Sequence, residues 1–211
     1  MKIGFYWIQK DYGGVDTHLL NLIKFWPSQD DQFIVFTNRD NDGFISIKDN
    51  LKKLGVKHFI FVSSGWEFLN YKIIKILHYI FFPIYFVYQV LNIIFEIKKF
   101  KLDCIIVQNG GYPGSFKSLA SICASWVLKL NKRILIIHHG SLHNNVLRRF
   151  LEKYLDFIIP QLSSDVVTVS RATRNTLIYL RGWDPTRSPI RVIHNGIENK
   201  KIKKYKSLRK Q

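Results

Sequence analysis

Residues Arg133–Gly140 read "RILIIHHG", four consecutive aliphatic residues followed by two histidines and a glycine. A half-buried strand alternates polar and apolar side chains. A run that is apolar at both parities belongs to a strand covered on both faces, as in a parallel sheet flanked by helices. Similar runs occur at Lys2–Ile8, Gln32–Thr37, Lys57–Val62, Asp103–Gln108, Val166–Val169 and Ile190–Ile193. Between them lie helical patterns near Val15–Trp26, Ile47–Leu54, Tyr71–Phe100, Phe116–Leu130, Val146–Ile159 and Arg171–Leu180. In the first, Leu19, Leu20, Leu22, Ile23 and Trp26 fall on one broad face. The alternation predicts an α/β fold: a doubly wound, mostly parallel Rossmann-like sheet with right-handed crossovers and helices on both faces.

Length and composition suit one such domain. The chain has 211 residues, 47% of them hydrophobic and 15% aromatic, enough for a sizeable core and too many for general disorder. Cys104 and Cys123 both fall in apolar segments and form no disulfide framework, which points to free buried thiols in a reducing cytoplasm. The opening "MKIGFYWIQK" has a short apolar run and no small-residue cleavage site after it, so it reads as a first buried strand rather than a secretion signal. Lys and Arg outnumber Asp and Glu by 32 to 15, giving a net charge of +17. That excess predicts attraction to an anionic surface: nucleic acid, acidic lipid headgroups or a phosphorylated substrate.

Ile76–Phe95, "ILHYIFFPIYFVYQVLNIIF", has the length of a membrane span. Yet Pro83, His78, Gln89 and Asn92 interrupt it, and a spanning helix here would divide the sheet. A spanning helix, a helix lying in the membrane interface, and packing against the protein or a partner all remain open. Lys72, Lys75, Lys98, Lys99 and Lys101 flank the segment and favour the interfacial reading.

Ligands of parallel α/β sheets bind at the carboxyl ends of the strands. Four loops follow strands here and should meet along that edge. In "DYGGVDTH" (Asp11–His18), Gly13 and Gly14 allow close backbone approach, and the helix starting there offers free amides to an anion. In "QNGGYPGS" (Gln108–Ser115), glycines and a proline shape a narrow loop, with Gly110 and Gly111 at its centre. There Asn109 and Tyr112 are candidate hydrogen-bonding partners of a polar ligand. In "HHGSLHNN" (His138–Asn145), an imidazole at a strand end can bond a hydroxyl or take its proton. His143 is near in sequence, but no carboxylate or cysteine cluster completes a metal site. Ser170 follows "DVVTV" as an N-cap for the next helix. No G-x-S-x-G elbow and no Walker A sequence is present, which argues against a hydrolase and a phosphate-loop nucleotidase.

In order along the chain, "GGVDTHLLNL", "DCIIVQNGGYPG", "RILIIHHG", "DVVTVSRATRNTL" and "IRVIHNGI" resemble the amino-terminal domain of the family 4 glycosyltransferases, enzymes of the two-domain GT-B fold. The resemblance runs from Met1 to Ile197, and "NGGYPG" is similar to bacterial members that build surface polysaccharide or lipopolysaccharide. It implies retaining transfer of a sugar from a nucleotide-sugar co-substrate, with no metal and no further cofactor, onto a glycan or lipid-linked acceptor. It also implies that the loop of Gly13, Gly14 and Asp16 lies against the donor diphosphate and acceptor. Asp16 stands where relatives usually carry glutamate. His139 takes the place of the histidine that contacts the transferred sugar, with His138 as the alternative one residue away. Asn109, Gly110, Gly111, Tyr112, Ser170, Asn195 and Gly196 complete the candidate donor- and acceptor-binding set.

In relatives the Asn-Gly turn at Asn195–Gly196 leads to a second domain that supplies an Arg, a Lys and a paired-glutamate segment for the donor. After Glu198 this sequence has no acidic residue, only a basic tail over 198–211 that reads as flexible. The resemblance therefore predicts a truncated or split enzyme, weakly active or inactive alone, with a separate polypeptide as the possible donor half. Each missing charge-assisted bond to diphosphate would be worth roughly 1.5–3 kcal/mol. The expected location is cytoplasmic, peripheral at the inner face of the plasma membrane. The alternative is a non-catalytic, membrane-associated binding module of the same fold. Nucleic-acid binding lacks zinc spacing, an RNP signature or a helix-turn-helix to support it.

Overall fold

The computed structural model describes residues 1–28, 30–53, 59–63, 81–141 and 146–196. Within them β1 (Lys2–Trp7) leads through α1 (Gly14–Lys24) to β2 (Gln32–Thr37), then α2 (Phe44–Lys53) and β3 (Phe59–Ser63). Next come α3 (Phe82–Lys98), β4 (Cys104–Gly111), α4 (Phe116–Val127), β5 (Lys132–His139) and α5 (Val146–Leu162). The described chain closes with β6 (Asp165–Thr168), α6 (Arg171–Arg181) and β7 (Ile190–Val192).

The strands form one seven-stranded sheet in the order β3-β2-β1-β4-β5-β6-β7, and every pairing is parallel. The chain winds outward from β1 to β3, then returns to β4 and winds the other way to β7. Right-handed crossovers in opposite directions put helices on opposite faces. The core divides accordingly. Ile3, Phe5, Trp7, Val35 and Ile106 pack with Val15, Leu19 and Ile23 of α1 and with Ile47 and Leu51 of α2. On the other face Tyr6, Ile34, Phe36, Ile105, Val107, Leu135 and Ile137 pack with Ile93 and Ile97 of α3, Leu119 and Ile122 of α4, Leu155 and Ile159 of α5, and Leu177 of α6. Strands β1 to β6 thus feed both clusters through alternate residues, which is why their sequences are almost continuously apolar.

Helix ends follow local chemistry. Ser170 Oγ accepts the Thr173 amide at 3.0 Å to start α6, and Gly182, with φ +68°, ends it in the left-handed region. Pro83 sits in the first turn of α3, where its missing N–H has no helical partner to lose. Of the expected helix over Tyr71–Phe100, residues 71–80 lie outside the described residues, as do His143 and the 198–211 tail. Among the described residues no helix is long and apolar enough to cross a membrane. Cys104 is buried and Cys123 half-buried, and both are free. Burial pushes their thiols up to about 11 and about 12, so both stay protonated near neutral pH.

Helix α4 is enclosed on nearly every side. Ser118, Ala120, Ser121, Ala124 and Ser125 have no exposed surface, and Ser121 and Ser125 donate their hydroxyls back to the carbonyls of Ser118 and Ser121. Small residues fit where bulk has no room. Replacing Ser121 by Leu should therefore overpack this helix and cost about 1–3 kcal/mol, read as a lower midpoint in urea.

Candidate active site

Every strand of a parallel sheet ends at the same edge, so the loops after β1, β4, β5 and β6 share one rim. Gly13 and Gly14 open α1 there. A Cβ added at Gly110 would meet Val15 of α1 at 3.9 Å, and Gly111 pairs with His139 across β4 and β5. Gly14, Gly110 and His139 therefore converge on one border. Gly14 and His139 are exposed, while Gly13, Gly110, Gly111 and Gly140 are half-buried. The rim offers a ligand mostly backbone, together with the amides of the first turn of α1.

Several candidate side chains turn inward. Asp16 is fully buried and accepts the Gly13 amide at 2.5 Å, as well as the Gln9 side-chain amide. It caps its own helix and ties down the glycine pair. Burial raises its pKa, opposed by the Gly13 and Gln9 bonds. Its other oxygen, Oδ1, has no hydrogen-bond partner and lies where a Cβ on Gly43 would come within 2.5 Å, so that neighbour has to be glycine. Asn109 was expected to face a ligand, yet it is buried and donates through Nδ2 to the Pro113 carbonyl at 3.0 Å. It clasps the loop around Gly114, where φ is +61° and an added Cβ would meet Asn109 Oδ1 at 2.0 Å and the Gly111 carbonyl at 2.2 Å. Tyr112 is buried as well, edge-on to Trp183 at 4.8 Å and beneath the Arg181 guanidinium at 5.5 Å. Ser170 is committed to capping α6. Asn195 and Gly196 lie exposed beyond β7, where His194 Nδ1 contacts the Val169 carbonyl at 3.1 Å.

The two adjacent histidines have opposite environments. His139 is exposed at the rim. His138 is buried, its Nε2 2.8 Å from Gln108 Oε1, which also lies 3.2 Å from His18 Nδ1. The two rings pack edge to face at 4.6 Å. With Gln108 Oε1 as the shared acceptor, His138 carries its proton on Nε2 and His18 on Nδ1. Burial, with His18 and His139 nearby, lowers the His138 pKa to about 3. Burial likewise lowers that of His18, against its bond to Gln108. His138 is therefore a neutral donor, and His139 is the imidazole open to a ligand.

A group absent from the sequence expectations holds the central loop from behind. Arg181, at the end of α6, donates through Nε to Ser141 Oγ at 2.5 Å and through Nη1 to Glu152 Oε2 at 2.7 Å. Ser141 Oγ in turn donates to the Tyr112 carbonyl at 3.0 Å, and the Ser141 amide donates to Thr176 Oγ1 at 2.9 Å. Glu152 is fully buried, and Asp156 lies 3.7 Å from the same guanidinium. Burial pushes the Asp156 carboxyl up to about 6, against the pull of Arg181. This network couples α5 and α6 to both polar loops.

The concavities lined by Asp156, Trp183 and Ser188 (about 280 Å3) and by Pro160, Asp165 and Pro189 (about 480 Å3) include neither the glycine turns nor the histidines. Among the described residues no three His, Cys, Asp or Glu are placed to hold a metal ion.

In sequence, the family described as Glycosyltransferase Family 4 matches residues 12–201. No curated protein sequence matches the chain. In structure the chain is similar to a glycosyltransferase from Rickettsia africae, with TM-score 0.59 and 16% identity over 93% of this chain and 43% of that one. It is also similar to the lipopolysaccharide outer core galactosyltransferase WaaB in its apo form (TM-score 0.51, 17% identity, 95% of this chain and 47% of that one). A UDP-N-acetylglucosamine 2-epimerase aligns with TM-score 0.54 and 14% identity over 92% of this chain and 48% of that one. At these identities the likeness is one of fold, and the chain spans less than half the length of each.

Two outcomes test the site's framework. The His138 ring signals in NMR should stay flat from pH 8 to 5, because its folded pKa lies far below that range. The depressed pKa stabilises the fold above the unfolded value of 6.5, and that contribution is lost as pH falls toward 3. Arg181→Leu should strand buried Glu152 and cost about 3–5 kcal/mol in equilibrium unfolding.

Proposed function

The chain belongs to glycosyltransferase family 4, and on that premise we propose that residues 1–197 are the acceptor-side lobe of a retaining sugar transferase. In this reading it transfers a sugar from a nucleotide-sugar co-substrate to a glycan or lipid-linked acceptor. The pathway is surface-polysaccharide or lipopolysaccharide synthesis at the inner face of the plasma membrane. The observation that carries the reading is the exposed His139 beside Gly111, on the same rim as Gly13, Gly14 and Gly110.

The chemistry of that rim fits a sugar rather than a metal or a hydrolytic nucleophile. Glycine turns bring main-chain amides to within reach of hydroxyl and phosphoryl oxygens without side-chain interference. The α1 amino end favours negative charge, as carried by a diphosphate. His139 supplies one movable donor or acceptor toward the transferred sugar, while His138, kept neutral by burial and bonded to Gln108, braces the strand end behind it. A second lobe closing on the rim would exclude water from it, and a GT-B donor lobe is the fitting complement. That lobe would supply the cationic contacts to the diphosphate, so the 211 residues alone are expected to transfer sugar weakly or not at all.

The test is transfer of labelled sugar from nucleotide-sugar donors to a membrane acceptor fraction, with a donor lobe of the family supplied. His139→Ala should lower turnover about 100-fold or more, the loss typical of removing one aligned polar contact to a developing charge. Unchanged transfer in that variant would remove His139 from the reaction.

A further inference from the structure

We infer that the outward face of α3 is a docking surface for an anionic lipid bilayer. Helices on protein surfaces are usually apolar on one face only. Here Phe82, Gln89, Ile93 and Ile97 are buried against the sheet and α4, yet the opposite side is apolar too. Ile84, Val87, Tyr88, Leu91 and Phe95 are spaced three and four apart, so they line a single stripe, and all are more than half exposed. Ile84 and Phe95, at its two ends, are 69% and 68% exposed.

The helix's last turn selects the occupant. Lys98 falls on the same stripe, and Lys99 and Lys101 follow it, all three exposed. No acidic residue lies on the stripe; Glu96 of the same helix is placed to its side. An aliphatic and aromatic band ending in a lysine cluster matches a bilayer with anionic headgroups, into which such a face sinks about 5–10 Å. A second copy of the chain is a poorer fit, because each copy carries +17 and would meet like charge.

The placement has a consequence for the site, which rests on the transferase reading. Phe82 at the start of α3 packs edge-on against Phe116 at 4.6 Å, directly after the Gly114–Ser115 turn. The amino end of the stripe therefore lies beside the loop that follows β4. A chain docked along α3 holds its polar rim close to the bilayer surface, where a lipid-linked acceptor presents its sugar.

Co-sedimentation of the full chain with phosphatidylcholine vesicles, with and without phosphatidylglycerol, tests the docking without donor or acceptor present. Binding should need phosphatidylglycerol and weaken with salt. Leu91→Glu with Phe95→Glu should reduce it at least tenfold while circular dichroism and melting stay unchanged, since both side chains face outward. Lys98→Glu with Lys99→Glu should reduce it on anionic vesicles only. Three results would each overturn the assignment: undiminished binding by the Leu91/Phe95 variant, loss of its fold (the stripe is then covered by the chain itself), or a dimer that this variant dissolves. Failure of sugar transfer would leave vesicle binding intact, so the two readings fail separately.

Discussion

The shared direction of seven strands is the constraint on which the rest depends. A strand buried on both faces must be apolar along its length, so it can present polar groups only where it ends. With all strands parallel, those ends fall on one border. The glycine turn after β1, the glycines closing β4 and the histidines closing β5 meet for that reason, although more than a hundred residues separate the first from the last.

A rim built from glycines needs rigid support, since glycine backbone is intrinsically loose. The support comes from buried polar side chains one layer below the surface. Asp16 holds the Gly13 amide, Asn109 the Pro113 carbonyl, and Arg181 reaches Ser141, which bonds the Tyr112 carbonyl. The Arg181–Glu152 pair is enclosed, and removing either partner would leave an uncompensated charge. The same division separates the histidines: His138 is fixed between Gln108 and His18, while His139 is exposed at the rim.

Much of this was legible in the residues. The run Gln32–Thr37 coincides with β2 at both ends, because a short apolar run rich in aromatic and β-branched residues and bounded by polar ones favours a buried strand. The stretch Gln108–Ser115, read as a loop, proved half strand. Gln108–Gly111 belong to β4, with Asn109 opposite Ile137 and Gly111 opposite His139 in the pairing with β5, and pairing overrides glycine's poor strand preference. Asn109 and Tyr112 are both buried: Asn109 clasps the loop through the Pro113 carbonyl, and the Tyr112 ring packs against Trp183 and Arg181. Arg181 was illegible because its partners stand 29 and 40 residues away. The sole sign in the sequence was Glu152 and Asp156, two carboxylates one turn apart on α5.

The central claim is that the carboxyl rim of this sheet is the sugar-binding edge. Backbone amide NMR during titration with acceptor oligosaccharides tests it most directly. The account predicts shifts confined to Gly13, Gly14, Gly110, Gly111, His139 and Gly140. Shifts clustered instead around Asp165, Arg187 and Ser188, with the glycine turns silent, would contradict it.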